Sequence, residues 1–130
     1  MMDATVDAVC RAAAGVARAW AATGRTERAA ILRSMAEALE ARRDEIVTIA
    51  MEESHLDHAR LNGELTRTCF QLGHFAEVLE EGSYLEATID HATTTPMGPR
   101  PDLRRMLVAL GSVAVFGASN FPLEIGRAHV

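Results

Sequence analysis

The chain has 130 residues, 48% of them hydrophobic, with a formal net charge of -5. That suits one small domain or a piece of a larger one, and the acidic balance argues against a nucleic-acid or anionic-membrane partner. All basic residues are Arg, no apolar run is long enough to span a bilayer, and the acidic start "MMDATVDAVC" lacks the basic and apolar regions of a signal peptide.

The first two thirds read as helices, over 3–82. From Asp3, the positions Val6, Val9, Cys10, Ala13, Val16, Ala17 and Trp20 share one helical face. Gly24 interrupts the pattern, and Thr26 is a fair N-cap for a second helix running to about Ser54. That helix is expected to turn Ile31, Met35, Leu39, Ile46, Ile49 and Ala50 inward. A third runs from about Leu56 to Glu81 on the stripe Leu61, Leu65, Cys69, Leu72, Phe75, Ala76 and Leu79, with Gly82 as its stop.

After Gly82 the period falls to about two. "YLEATID" alternates as a half-buried strand does, "HATTTPMGPRPD" reads as a loop, and "LRRMLVAL" reads as a return strand, making a hairpin over 83–110. The short β-branched run "GSVAVFG" fits a central strand of a parallel sheet, followed by a loop, over 111–123.

Three groups bear chemistry. Glu52, His55 and His58 are candidate metal ligands, but their i, i+3, i+6 spacing diverges around a helix and no further ligand cluster accompanies them, so no metal site is expected. Cys69 is a candidate nucleophile, yet it lies on the apolar stripe of the third helix and reads better as a core thiol; Cys10 is likewise on a core face. Two such cysteines make no disulfide framework, which points to a reducing cytoplasm.

The third group is "GSVAVFGASNFP". Ligands of open α/β sheets bind where strands end. Gly117, Ala118 and Ser119 are small enough for a flat ligand to approach the backbone, Asn120 offers an amide donor able to stabilise an oxyanion, and Pro122 stiffens the chain after the loop. The alternative is a plain strand-to-helix turn with Asn120 as a cap.

With Leu123, this stretch resembles the aldehyde dehydrogenase superfamily, whose signature here is usually Pro-Trp-Asn-Phe-Pro-Leu. Asn120, Phe121, Pro122 and Leu123 match it, and "RTERAAILRSMAEALEARRDEIVTIAMEES" resembles that family's arginine-led second helix. Ala118 and Ser119 replace the usual Pro-Trp. With "GPRPDLRRM" upstream, that departure looks most like the branch acting on α-ketoglutarate semialdehyde, often with NADP.

The resemblance covers residues 3–123. It implies an α/β fold of which this is the N-terminal part: three amphipathic helices, a β-hairpin, then the first strand of a parallel cofactor-binding sheet, the domain being incomplete. It implies an aldehyde substrate, NADP or NAD as cofactor, and a homo-oligomeric parent whose oligomerisation sheet includes the hairpin from Tyr84 to Val108. Asn120 would be the oxyanion donor, Phe116, Gly117, Ala118 and Ser119 would border the cofactor, and Phe121 would line the substrate tunnel. In that family the nucleophilic Cys, the general-base Glu and the cofactor-binding Lys and glycine motif come after the Asn-Phe-Pro loop, so the 130 residues alone are expected to be inactive. The rival reading is a small helical interaction module with a β-hairpin.

The tail "EIGRAHV" has neither an apolar pattern nor turn chemistry. It can be encoded by GAGATCGGAAGAGCACACGTC, most of which is the ligated adapter of short-read DNA sequencing. Residues 124–130 are therefore expected to be an adapter artefact, Glu124 a hybrid codon, and they are left out of the fold reading.

Overall fold

The computed structural model describes residues 2–124, with side chains from residue 5 onward. The adapter reading of 125–130 lies outside the described residues. In chain order the elements are α1 (Met2–Ala22), α2 (Arg25–Ala41), α3 (Arg43–Ser54), α4 (His58–Glu81), a 3-10 turn (Ser83–Leu85), then β1 (Thr88–Asp90), β2 (Thr93–Thr95), β3 (Gly98–Arg100) and β4 (Leu103–Arg105).

The expected second helix is two helices. At Arg42 the backbone leaves helical geometry (φ -113°, ψ 18°), and Arg43 starts α3 in a new phase. That shift explains why the inward set differs from the expected one. Ala29, Val47 and Ala50 are buried, Leu39 and Ile46 are half-buried, and Ile31, Met35 and Ile49 remain exposed. The start also moves: Gly24, not Thr26, takes the N-cap position, with no side-chain cap.

α4 follows its periodicity closely. Asp57 caps its start by accepting the Arg60 N–H at 3.0 Å. Leu61, Leu65 and Ala76 are buried, and Gly82 ends the helix in the left-handed region at φ 83°. That positive φ favours glycine, and the Arg25 guanidinium, which donates to the Glu80 carbonyl, passes close over it. α4 packs along α2 and across α3, and Val47, Ala50, Leu61 and Leu65 form the core between them. The bidentate pair from Arg33 to Glu80, at 2.8 and 2.7 Å, ties α2 to the far end of α4.

α1 departs from expectation. Its apolar residues Val6, Val9, Val16 and Trp20 are exposed, and it packs on no other helix or strand among the described residues. Its alanines give it good helix propensity, and its half-buried Ala13 and Ala17 line a groove of about 410 Å³ with Arg28, Ala109 and Val113, so the periodicity is real although most of the stripe is exposed.

β1 pairs antiparallel with β4 in the register Thr88↔Arg105, Ile89↔Arg104, Asp90↔Leu103, as the hairpin reading expects. The stretch read as a loop between them holds a second hairpin. β2 pairs with β3, Thr95 opposite Gly98, and the Thr95 hydroxyl donates to the Gly98 carbonyl at 2.8 Å while accepting the Met97 N–H at 3.2 Å. The threonine run supplies β-branched residues and Gly98 the positive φ of 116°.

The parallel strand expected at 111–117 is not formed. Residues 106–118 carry no regular secondary structure, and Val113, Val115 and Phe116 are exposed. A parallel strand exists only beside partners, and the described residues pair only as the two antiparallel ladders. Over these residues the protein is mostly helical with two small hairpins, and the parallel sheet of the expected α/β fold is not seen.

Candidate functional site

The loop after the expected strand makes two consecutive turns. The Phe121 N–H donates to the Ala118 carbonyl at 3.1 Å, and the Glu124 N–H donates to the Phe121 carbonyl at 3.4 Å. Pro122, with its fixed φ, is the second residue of the second turn. The chain therefore doubles back and seats Leu123 against the α3–α4 core.

One face of α4 receives this loop. Arg60, Glu64 and Thr68 are four residues apart and so lie above one another. Arg60 donates through Nη2 to the Asn120 carbonyl. Its Nε donates to Glu64 Oε1 at 3.1 Å, and its guanidinium lies 4.9 Å from the centre of the Phe121 ring. Glu64 Oε2 accepts the Leu123 N–H at 3.3 Å. The Thr68 hydroxyl donates to the Leu123 carbonyl at 2.5 Å. Both polar backbone groups of Leu123 are thus met by α4 side chains.

Glu64 is 5% exposed, the buried charged residue of an otherwise apolar set. A buried carboxylate is tolerable only when paired and hydrogen-bonded, and Arg60 with the Leu123 N–H meets that need. Ser119 and Pro122 face α3 instead, closing a groove of about 350 Å³ with Ile46, Ile49, Ala50 and Glu53.

The expected site residues divide accordingly. Asn120 and Phe121 are brought to α4, and Ser119 to α3. Phe116, Gly117 and Ala118 are exposed and outside regular secondary structure. Gly117, Ala118 and Ser119 carry small side chains and are exposed, so their backbone is accessible. The Asn120 side chain is exposed at a turn and available to a ligand. Arg60, Glu64 and Thr68 were not singled out by the sequence reading. Their signal was a glutamate inside the Leu61–Leu65 stripe with partners one helical turn away on either side.

The other candidates do not form sites. Glu52, His55 and His58 are exposed, His55 ends α3 in the left-handed region at φ 58°, and the His58 ring contacts Asn62 at 3.0 Å. No cluster able to hold a metal occurs among the described residues. Cys69 is half-buried; its thiol donates toward Glu40 at 3.6 Å and the Ala36 carbonyl at 3.7 Å. Burial first, then the Glu40 carboxylate, push its pKa up, the reverse of what a nucleophile needs. Cys10, expected on a core face, is exposed on α1. No helix is long and apolar enough to cross a membrane among the described residues.

Several known proteins are similar in sequence. The profile of the aldehyde dehydrogenase family matches residues 1–129. Alpha-ketoglutaric semialdehyde dehydrogenase 2 of Azospirillum brasilense is 44% identical over 128 residues, covering 97% of this chain and 24% of that protein. Alpha-ketoglutaric semialdehyde dehydrogenase of Acinetobacter baylyi is 39% identical over 131 residues, covering 97% of this chain and 25% of that protein. Vanillin dehydrogenase of Corynebacterium glutamicum is 32% identical, covering 94% of this chain and 24% of that protein. The chain spans about a quarter of the length of these curated relatives.

Proposed function

The chain belongs to the aldehyde dehydrogenase family, and from that premise we propose that the complete enzyme oxidises α-ketoglutarate semialdehyde to the carboxylic acid with NADP or NAD. The observation that carries the reading is the loop Asn120–Leu123, anchored on α4 with the Asn120 side chain left exposed. The names of two of the relatives support the semialdehyde as substrate.

A cysteine thiolate beyond this segment adds to the aldehyde carbon, and the carbonyl oxygen becomes an alkoxide. The Asn120 amide donates a hydrogen bond to that oxygen as its charge develops. A bound nicotinamide dinucleotide would supply the hydride acceptor for this oxidation, and water would then release the acid from the thioester. Phe116, Gly117, Ala118 and Ser119 border the cofactor, and Phe121 lines the path of the aldehyde. The hairpins, exposed over much of 84–108, belong to the contact between copies of the enzyme.

The 130 residues alone turn over no aldehyde, since Cys10 and Cys69 both precede the loop and burial pushes the Cys69 pKa up. Assays of the complete enzyme on α-ketoglutarate semialdehyde and on vanillin, with each dinucleotide, test the reading. The semialdehyde should give the higher kcat/KM. A preference for vanillin overturns the substrate, and absence of oxidation of either overturns the activity.

A further inference from the structure

We propose that Arg60, Glu64 and Thr68 are positioning residues, a rack on one face of α4 that fixes where the Asn120 amide stands. The proposal rests on the oxyanion reading of Asn120. Three hydrogen bonds run from the rack to the loop backbone, one to the Asn120 carbonyl and two to the peptide groups of Leu123. They grip the loop at Asn120 itself and three residues beyond it, on either side of Phe121 and Pro122.

Burial argues for a role beyond packing. Glu64 occupies the stripe between the fully buried Leu61 and Leu65, where an apolar residue would give a simpler core. Its carboxylate joins Arg60 to the Leu123 N–H, so two of the three contacts form one linked network, and Thr68 holds the other side of the same residue. The backbone of Leu123 has both its donor and its acceptor occupied, which restrains the preceding turn at its end. An oxyanion donor stabilises the transition state only if it already points at the oxygen. The rack supplies that direction without touching substrate.

The test uses the complete enzyme. Thr68→Val keeps the shape and removes the donor; Thr68→Ser keeps the donor. Thr68→Val should lower kcat on the order of tenfold while KM for the dinucleotide stays within about twofold, because orientation and not cofactor binding is lost. Thr68→Ser should recover most of kcat. Combined with Asn120→Ala, Thr68→Val should cost little more, since the rack acts through Asn120. If Thr68→Val fails to fold, the Glu64 pair decides. Glu64→Gln keeps an acceptor for the Leu123 N–H and should retain more kcat than Glu64→Leu.

Unchanged kcat in Thr68→Val, beside a crippled Asn120→Ala, overturns the rack and leaves the oxyanion reading standing. Full multiplication of the two losses, or equal activity of the two Glu64 variants, also overturns it. A fully active Asn120→Ala overturns the oxyanion reading itself.

Discussion

The carboxylate of Glu64 accepts the backbone N–H of Leu123 at 3.3 Å, across 59 residues of chain. This bond makes the loop part of the helical core rather than an appendage to it, because the Leu123 side chain packs on the cluster of Val47, Ala50, Leu61 and Leu65. Whatever alters α4 therefore reaches the loop.

Leu65 is 1% exposed and belongs to that cluster. Leu65→Ala should cost about 2–5 kcal/mol, the range for deleting a buried leucine with partial collapse of the cavity. Denaturant unfolding of the complete enzyme checks this. Met35→Ala, at an exposed position of α2, should cost far less, and similar losses at both sites would contradict the observed core.

Acid should loosen the α2–α4 contact. The Arg33 guanidinium, through hydrogen bonds and charge, holds the Glu80 pKa below its ordinary value. Such a carboxylate contributes stability that is complete above the unfolded value of about pH 4.3 and is lost as pH falls through the lowered folded value. The melting temperature should therefore drop between about pH 5 and pH 3, and Glu80→Gln should drop less over that window. The pair is exposed, so the difference should be small. A larger drop in Glu80→Gln would contradict the sign.

The two thiols should differ in reactivity. Cys10 is exposed on α1, whereas Cys69 is half-buried with its pKa raised by burial and by Glu40. Iodoacetamide near neutral pH should label Cys10 first, as mass spectrometry of digested protein will show. Cys69→Ser should leave aldehyde oxidation by the complete enzyme intact. Faster labelling of Cys69, or loss of turnover in Cys69→Ser, would restore it as a nucleophile.

In isolation the 130 residues should associate. Trp20, Phe70, Val113 and Phe116 are exposed large apolar residues, and the segment 111–117 is an unpaired β-branched run. Light scattering should rise with concentration. A soluble monomer with one sharp melting transition would contradict this.

Local signals in the sequence were read well where the described residues complete the interaction. α4 has its stripe, its stop at Gly82 and its partners within the chain, and its burial follows the pattern. The outer hairpin likewise has both strands present. Elsewhere pattern outran structure: among the described residues α1 shows a correct helical period with most of its stripe exposed, and 111–117 shows strand composition without a ladder. The break at Arg42 carries no Gly or Pro, so no local signal marked it. The inner hairpin was masked by Pro96 and Pro99, which stand at the turn and at an edge that tolerates a missing donor. The loop was legible as a motif, but its rack was not, because Arg60, Glu64 and Thr68 acquire meaning only once α4 and Leu123 meet.

The most direct measurement is a side-by-side comparison of Asn120→Ala and Asn120→Asp in the complete enzyme. If Asn120 donates to the alkoxide, Asn120→Ala should lower kcat by on the order of a hundredfold or more with little change in cofactor binding. Asn120→Asp should be at least as harmful, because a carboxylate repels the forming charge. A turn or cap residue would behave in the opposite order, with Asp tolerated and Ala costing about 1 kcal/mol of stability. An active, normally stable Asn120→Asp variant would contradict the account.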